Sequence, residues 1–397
     1  MRGEITVRFR LIKPVCIILS VITVAVGCTV CAGAVQSEMP VEISAKSAIL
    51  VDVSSGQVLA AMNEHERLFP ASVTKIMTLL LVMEAIDSGK LNLNDTVTAS
   101  ANAASKGGSQ IWLKEGETMT VDELLRATAI YSANDACEAL GEHLAGSEDA
   151  FVAMLNERAE QLGMKNTHFD NCSGLDDATD THLTTAYDVA LMSVELLRHD
   201  LIRKYTTVWM DSLRDGATQL VNTNKLIRFY QGATGLKTGT TSKAGCCISA
   251  SAERDGTHLV AVIMGSPTSD DRFNSAKALL NWGFANFETV TPVPDSSLLA
   301  DVNVIGGFKS SFTPVVETPK SILMKKGSVA SLLQSAQLVT DVNAPVASGE
   351  TVGTLTFTVD GETVAEYRIV SPEEIKQLDF AEILRRLLRS FASFTKQ

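Results

Sequence analysis

The sequence predicts an α+β protein: an antiparallel sheet with flanking helices and a helical subdomain, then a small all-β domain, then a C-terminal amphipathic helix. Three observations carry this. Strand-like segments stand at both ends of a mostly helical stretch, so one sheet has to pair its N- and C-terminal parts. The apolar pattern changes from helical to strand-like at Gly235. Beyond Pro294, as far as Pro372, only short Val, Thr and Ile segments follow, broken by Gly, Pro and Asp360-Gly361. With 397 residues, 45% of them hydrophobic and 20% charged, the chain has room for a sizeable core and for more than one domain.

Taken in order, Ser47–Val53 and Gln57–Ala61 read as strands around the turn Ser54-Ser55-Gly56. Ala71 to Ile86 is apolar on every side, as expected of a helix buried inside a domain. Thr120-Val-Asp-Glu123 is a capping box that opens a helix from Leu124 to Tyr131. Ala150–Leu162 and Thr185–Leu197 are further helices. The runs Leu236–Gly239, Cys246–Ala252 and His258–Met264 then read as adjacent antiparallel strands, the last two joined through Glu253-Arg-Asp-Gly256. A helix from Arg272 to Phe287 closes the region, and Thr289–Pro294 reads as a linker. The expected divisions are 1–34, 35–288, 289–372 and 373–397.

Residues 1–34 read as a secretory signal. Arg2, Arg8, Arg10 and Lys13 precede the apolar run Val15–Val30, and Ala32-Gly33-Ala34 offers the small residues a signal peptidase cuts after. A retained anchor is the alternative, although the run is short for a spanning helix. Cleavage would leave Cys137, Cys172, Cys246 and Cys247, too few for a disulfide scaffold and without C-x-x-C spacing. Adjacent Cys246 and Cys247 in a strand point to opposite faces and read as small buried hydrophobes. The formal net charge of -12, with scattered basic residues, argues against nucleic acid as a partner. At the far end, Phe380, Ile383, Leu384, Leu387, Leu388, Phe391 and Phe394 share one helical face flanked by Arg385, Arg386 and Arg389. Such a helix either lies in a membrane interface or docks on its own β domain.

Within the buried Ala71–Ile86 segment, Ser72 and Lys75 are one turn apart, so a helix sets them side by side. Burial makes a lysine costly as a cation and lowers its pKa, which suits it to act as base to a neighbouring serine. Alternatively, the lysine stem packs while the amine reaches water. Alone the pattern is weak, since Ser-x-x-Lys recurs at Ser393–Lys396 and Ser-Ala-Asn occurs at both Ser100–Asn102 and Ser132–Asn134. Order is what matters: Ser72-Val-Thr-Lys75, then Ser132-Ala-Asn134, then Lys237-Thr-Gly239.

These three elements, with Tyr131, Gly235, Gly265-Ser-Pro-Thr268 and Arg272 around them, resemble the low-molecular-mass penicillin-binding proteins that are serine-type D-alanyl-D-alanine carboxypeptidases of peptidase family S11. The likeness extends over nearly all of the chain after the leader, and implies a β-lactamase/transpeptidase-like domain at 35–288. Lys237–Cys247 is similar to the sporulation-associated branch in particular. The resemblance implies that Ser72 attacks the carbonyl between two terminal D-alanines of peptidoglycan stem peptides, and that Lys75 takes its proton. Ser132, held with Lys75 by Asn134, would relay a proton to the leaving amine. Lys237 in the Lys237-Thr238-Gly239 strand would attract the terminal carboxylate, and the N–H groups of Ser72 and Thr240 would hold the oxyanion. Gly239 is expected to let the substrate backbone lie close to the strand. β-Lactams would acylate the same serine, outside the cytoplasmic membrane.

Thr240 departs from the family, several members of which carry histidine there; a backbone donor survives the change. Arg272 admits either substrate contact or a structural salt bridge. Asn171–Asp177 reads as a loop bordering the cleft or as plain turn chemistry. The six histidines lack metal-ligand spacing and no Gly-x-Ser-x-Gly elbow occurs, so neither metal nor cofactor is expected. Three rivals remain: a β-lactamase of the same fold, although the Glu-x-x-Leu-Asn motif of class A enzymes is missing; a DD-endopeptidase; and a non-catalytic cell-wall binding module.

Overall fold

Strict alternation along two strands places the centre of the protein. In β1 (Ser47–Asp52), Ala48 and Leu50 face one core while Ile49 and Val51 face another. In the last strand of the sheet, Thr257–Ser266, Leu259, Ala261 and Ile263 alternate in the same way with Val260, Val262 and Met264. A sheet buried on both faces needs a layer on each side, and burying each large aliphatic side chain contributes about 2 kcal/mol. The computed structural model, which describes residues 39–176 and 179–394, with terminal-helix side chains as far as Leu388, has both layers. The leader read at 1–34 lies outside the described residues.

The sheet comprises β1, β2 (Val58–Met62), β3 (Ala233–Thr241), β4 (Gly245–Arg254) and β5 (Thr257–Ser266), all antiparallel, in the order β2-β1-β5-β4-β3. The N-terminal hairpin thus pairs with the C-terminal strands, Ile49 opposite Val262. The longer helices on the other face are α1 (Lys75–Asp87), α2 (Val121–Arg126), α3 (Asn134–Ala145), α4 (Glu148–Gln161) and α5 (Ala186–Leu196). They enclose the first core. α6 (Ser269–Asn286) covers the opposite face with Phe273, Ala276, Leu279, Leu280 and Phe284. Its N-cap Thr268 accepts a hydrogen bond from the Asp271 N–H at 3.1 Å, so the helix begins three residues before the expected Arg272.

The capping box forms as the sequence predicts: Thr120 Oγ1 accepts from the Glu123 N–H at 3.2 Å and Glu123 Oε2 accepts from the Thr120 N–H at 2.8 Å. The helix it opens does not run evenly to Tyr131. It ends at Arg126 in a wider π turn, Ala127–Tyr131, which closes on Ser132 at φ +68°. A non-glycine residue in this left-handed region is strained.

Thr289 and Val290, read as linker, belong instead to a strand, Phe287–Val290, paired with Ile322–Lys325. Pro292 and Pro294 mark the end of that strand, not the whole crossing. The β region that follows encloses its own core of Val302, Val304, Phe312, Val346, Leu355, Phe357, Ile369 and Ile375. Its longest hairpin, Thr351–Val359 with Glu362–Val370, turns through Asp360 and Gly361, both at positive φ, as a two-residue type I′ turn requires. The terminal helix Phe380–Phe394 leaves Phe380, Ile383, Leu384, Leu387 and Leu388 exposed; the side chains of Arg389, Phe391 and Phe394 lie outside those described. No helix among the described residues is long and apolar enough to cross a membrane.

Candidate active site

Ser72 stands in a short 3₁₀ turn, Ala71–Thr74, that leads directly into α1. The turn is braced from beneath. Thr74 Oγ1 donates to the Ala71 carbonyl at 2.9 Å and receives the N–H of His182 Nε2 at 2.8 Å, while His182 Nδ1 accepts from the Asp170 N–H at 3.0 Å. Burial pushes His182 down to about 4, so the ring is neutral and its tautomer is set by these two partners. Gly174, at φ +86°, packs against the same turn: a Cβ there would lie 1.8 Å from the Ala71 oxygen.

Lys75 does not reach water; it is wholly buried. Its Nζ lies 3.0 Å from Ser72 Oγ, 2.5 Å from Asn134 Oδ1 and 2.8 Å from the Ser173 carbonyl oxygen. Asn134 is oriented in turn, its Nδ2 donating to the Gly107 carbonyl at 2.7 Å. Desolvation holds the Lys75 pKa below the ordinary lysine value, although Cys137, Cys172 and Asp135 pull it the other way. An amine whose proton is loosened by burial, at hydrogen-bond distance from a serine hydroxyl, can serve as base to a nucleophile.

β3 forms the facing wall. Lys237 is 1% exposed, and its Nζ donates to the Thr238 carbonyl at 3.0 Å. Burial, then repulsion from Lys75 and Arg272, holds its pKa well below the usual value. No carboxylate forms a salt bridge with it among the described residues. Such an amine can be met by an anion from outside, which favours its charged form. Thr238 Oγ1 donates to Thr223 Oγ1 at 2.7 Å. A Cβ on Gly239 would lie 2.7 Å from the Pro70 oxygen and 2.9 Å from both Ala71 Cβ and the Ser72 nitrogen. The space that this glycine opens is filled by the protein's own serine-bearing turn. It also brings the strand beside the Ser72 N–H.

The structure brings Ser72, Lys75 and Asn134 into one hydrogen-bonded group, and Gly239, Thr240 and Arg272 into another. Arg272 forms no salt bridge among the described residues. Its Nη1 donates to Thr240 Oγ1 at 2.8 Å and to the carbonyls of Gly239 at 3.0 Å and Cys247 at 3.3 Å, so it fastens β3 to β4 from behind. Ser132 is buried between the π turn and α3, two residues before Asn134, and makes no hydrogen bond to Ser72 or Lys75. The loop from Asn171 both borders the site and is built on turn chemistry: Asn171 Oδ1 accepts from the N–H groups of Ser173 and Gly174, while Asp176 Oδ2 accepts from Thr241 Oγ1 at 2.5 Å. Asp177 lies outside the described residues. Sequence reasoning missed the carbonyls of Ser173 and Gly107 and the His182 brace. Ser173-Gly174 was the available signal, since a glycine in a turn marks close backbone approach. Among the described residues no group of three or more His, Cys, Asp or Glu side chains could hold a metal ion.

Residues 34–268 match the family described as D-alanyl-D-alanine carboxypeptidase, and residues 287–377 match the C-terminal domain of penicillin-binding protein 5. The chain is 40% identical over 354 residues to D-alanyl-D-alanine carboxypeptidase DacF of Bacillus subtilis, covering 88% of this chain and 90% of the relative. Among solved structures it resembles penicillin-binding protein 5 of Haemophilus influenzae, with a TM-score of 0.73 and 31% identity over 86% of this chain and all of the other. Penicillin-binding protein D2 of Listeria monocytogenes, in its ampicillin-bound form, aligns with a TM-score of 0.57 and 32% identity, covering 62% of this chain and 99% of the other. On the family match and on identity across most of both chains, this chain belongs to the D-alanyl-D-alanine carboxypeptidases, a family of low-molecular-mass penicillin-binding proteins.

Proposed function

We propose that the chain is a serine-type D-Ala-D-Ala carboxypeptidase that removes the terminal D-alanine from peptidoglycan stem pentapeptides and is acylated by β-lactams. The observation that carries this is the 3.0 Å contact between Lys75 Nζ and Ser72 Oγ inside a wholly buried lysine environment. Lys75 as free amine takes the serine proton while Oγ attacks the carbonyl carbon of the penultimate D-alanine. The tetrahedral oxyanion is met by the N–H groups of Ser72 and Thr240, each such donor commonly contributing about 3 kcal/mol. Ser132 gives its proton to the leaving amine and takes in its place the one Lys75 holds, the C–N bond breaks, and D-alanine departs. Water then hydrolyses the ester on Ser72. Lys237 binds the carboxylate of the leaving D-alanine, or that of a penicillin, and Arg272 supports this wall through Gly239, Thr240 and Cys247.

The test is the intact mass of the protein after brief exposure to benzylpenicillin, beside Ser72→Ala. An adduct of one penicillin on wild type alone, with D-alanine release from a D-Ala-D-Ala peptide, is expected. No adduct with the drug intact would favour a binding module; no adduct with the drug consumed would favour a β-lactamase. Release of D-alanine only from cross-linked dimers would favour an endopeptidase.

The location proposed is the outer face of the cytoplasmic membrane, reached through the leader and kept by the terminal helix. Its exposed Phe380, Ile383, Leu384, Leu387 and Leu388 favour membrane contact over docking on the β domain, where, among the described residues, Arg386 donates to the Phe308 carbonyl at 2.7 Å. Truncation before Phe380 is expected to abolish binding to anionic lipid vesicles; unchanged binding would remove this part. The stretch Lys237–Cys247 supports a place in the sporulation-associated branch, and expression confined to vegetative growth would contradict it.

A further inference from the structure

Behind Lys75 lie two thiols that the reaction above does not use. Cys137 is one turn of α3 beyond Asn134, and Cys172 immediately precedes Ser173, so each is tied through its own backbone to one of the two acceptors that orient Lys75. Both are buried and free, and Cys137 Sγ lies 3.8 Å from Cys172 Sγ and 3.3 Å from the Cys172 oxygen. A disulfide needs about 2.05 Å, so closing the pair draws α3 and the Cys172 loop together by less than about 2 Å. Beside them a buried carboxylate is placed to take a proton: Glu138 Oε2 accepts the Cys172 S–H at 3.1 Å. Cys246 and Cys247 offer an internal contrast, since neighbours on one strand point to opposite faces and cannot approach in this way.

We propose that Cys137 and Cys172 form a peroxide-sensitive dithiol that oxidises to a disulfide behind Lys75 and slows acylation of Ser72. The Cys137 sulfur attacks one oxygen of hydrogen peroxide. The O–O bond breaks, and the departing hydroxide takes the thiol proton as water, leaving a sulfenic acid on Cys137. The Cys172 sulfur then attacks that sulfenic sulfur, giving up its proton to Glu138. The S–S bond forms, the S–OH bond breaks, and hydroxide leaves as water with the proton Glu138 returns. Two thiols are oxidised by two electrons and one peroxide is reduced to two waters. Supporting this order, the Cys137 pKa is held down despite burial, by Cys172, by the Lys75 charge and by Thr78, whereas the Cys137 contact and then burial raise that of Cys172. Burial and its acidic neighbours bring Glu138 up to about 7, where it can accept and return a proton. Closure also ends the S–H donation to Glu138 and moves the Ser173 carbonyl that Lys75 uses.

The rate effect rests on the function proposed above, but the cross-link itself does not, and the experiment separates them. The reduced full chain is treated with hydrogen peroxide, freed of oxidant, and divided. One part is alkylated and digested without reductant for mass spectrometry; the other is timed for benzylpenicillin acylation, before and after dithiothreitol. Absence of acylation in the untreated reduced sample would count against the carboxypeptidase reading, whatever the cross-link does. Expected are a peptide joining Cys137 to Cys172, short of two hydrogens, and an acylation rate about 10- to 100-fold lower that dithiothreitol restores. Cys172→Ala and, should that variant fold poorly, Cys137→Ala are expected to show no cross-link and to keep their own untreated rates after peroxide. Absence of the joined peptide, a joined peptide with an unchanged rate, or an equal loss of rate in the variants would each overturn the proposal.

Discussion

Two buried lysines face the same cleft, and they are equipped in opposite ways. Lys75, at the start of α1, is met by Ser72 Oγ, Asn134 Oδ1 and the Ser173 carbonyl; Lys237, on β3, is met by the Thr238 carbonyl. Both pay for burial with a lowered pKa. The difference teaches how one residue type performs two tasks. On the function proposed above, a lysine whose partners are all supplied by the protein holds its position and exchanges a proton with the serine. On the same proposal, a lysine left short of acceptors, on a wall with no salt-bridging carboxylate among the described residues, is completed by the substrate's own.

The comparison breaks most completely at Lys75. Lys75→Met keeps the bulk of the stem and removes the base, so benzylpenicillin acylation is expected to fall by about 10⁴-fold or more with the fold retained, checked by stopped-flow rates and circular dichroism. Lys237→Met should act on binding. KM for a D-Ala-D-Ala peptide is expected to rise about 10- to 100-fold, while a peptide ending in carboxamide changes little, because only the former has a charge to lose. Equal losses on both peptides would mean that Lys237 is structural. Gly239→Ala sharpens the contact between the two walls: its Cβ, 2.9 Å from the Ser72 nitrogen, is expected to displace the proposed oxyanion donors and cost about 10- to 100-fold in acylation, with Lys75 unmoved.

The smallest effect is on stability. Both lysines have folded-state pKa values below those of the unfolded chain, so the unfolded state binds more protons between the two values and stability rises with pH there. Lys237→Met should therefore stabilise the protein at neutral pH. The gain, read from urea midpoints, is expected to shrink as pH rises from the lowered folded value through the ordinary lysine value of 10.5.

What the sequence conveyed well depended on side chains in local register. Ser72 beside Lys75 follows from helical spacing, the Thr120 box from capping chemistry, and the paired ends of the sheet from a change of period. It could not convey backbone acceptors, because every residue has a carbonyl and only the fold decides that those of Ser173 and Gly107 point inward. Arg272 misled for the same reason: a salt bridge was one expected partner, and main-chain oxygens of β3 and β4 took its place. The π turn before Ser132 and the strand through Thr289 and Val290 were hidden by tertiary pairing, which overrides local propensity.

The most direct test of the account is the pH dependence of benzylpenicillin acylation, with the rate at saturating drug separated from the rate at limiting drug. At saturation the rate should rise with pH through a single group below the ordinary lysine value, as Lys75 loses its proton. At limiting drug it should also fall again on the alkaline side, as Lys237 loses the charge that draws the carboxylate. Profiles flat from acid to alkaline pH in both regimes would contradict Lys75 as the base.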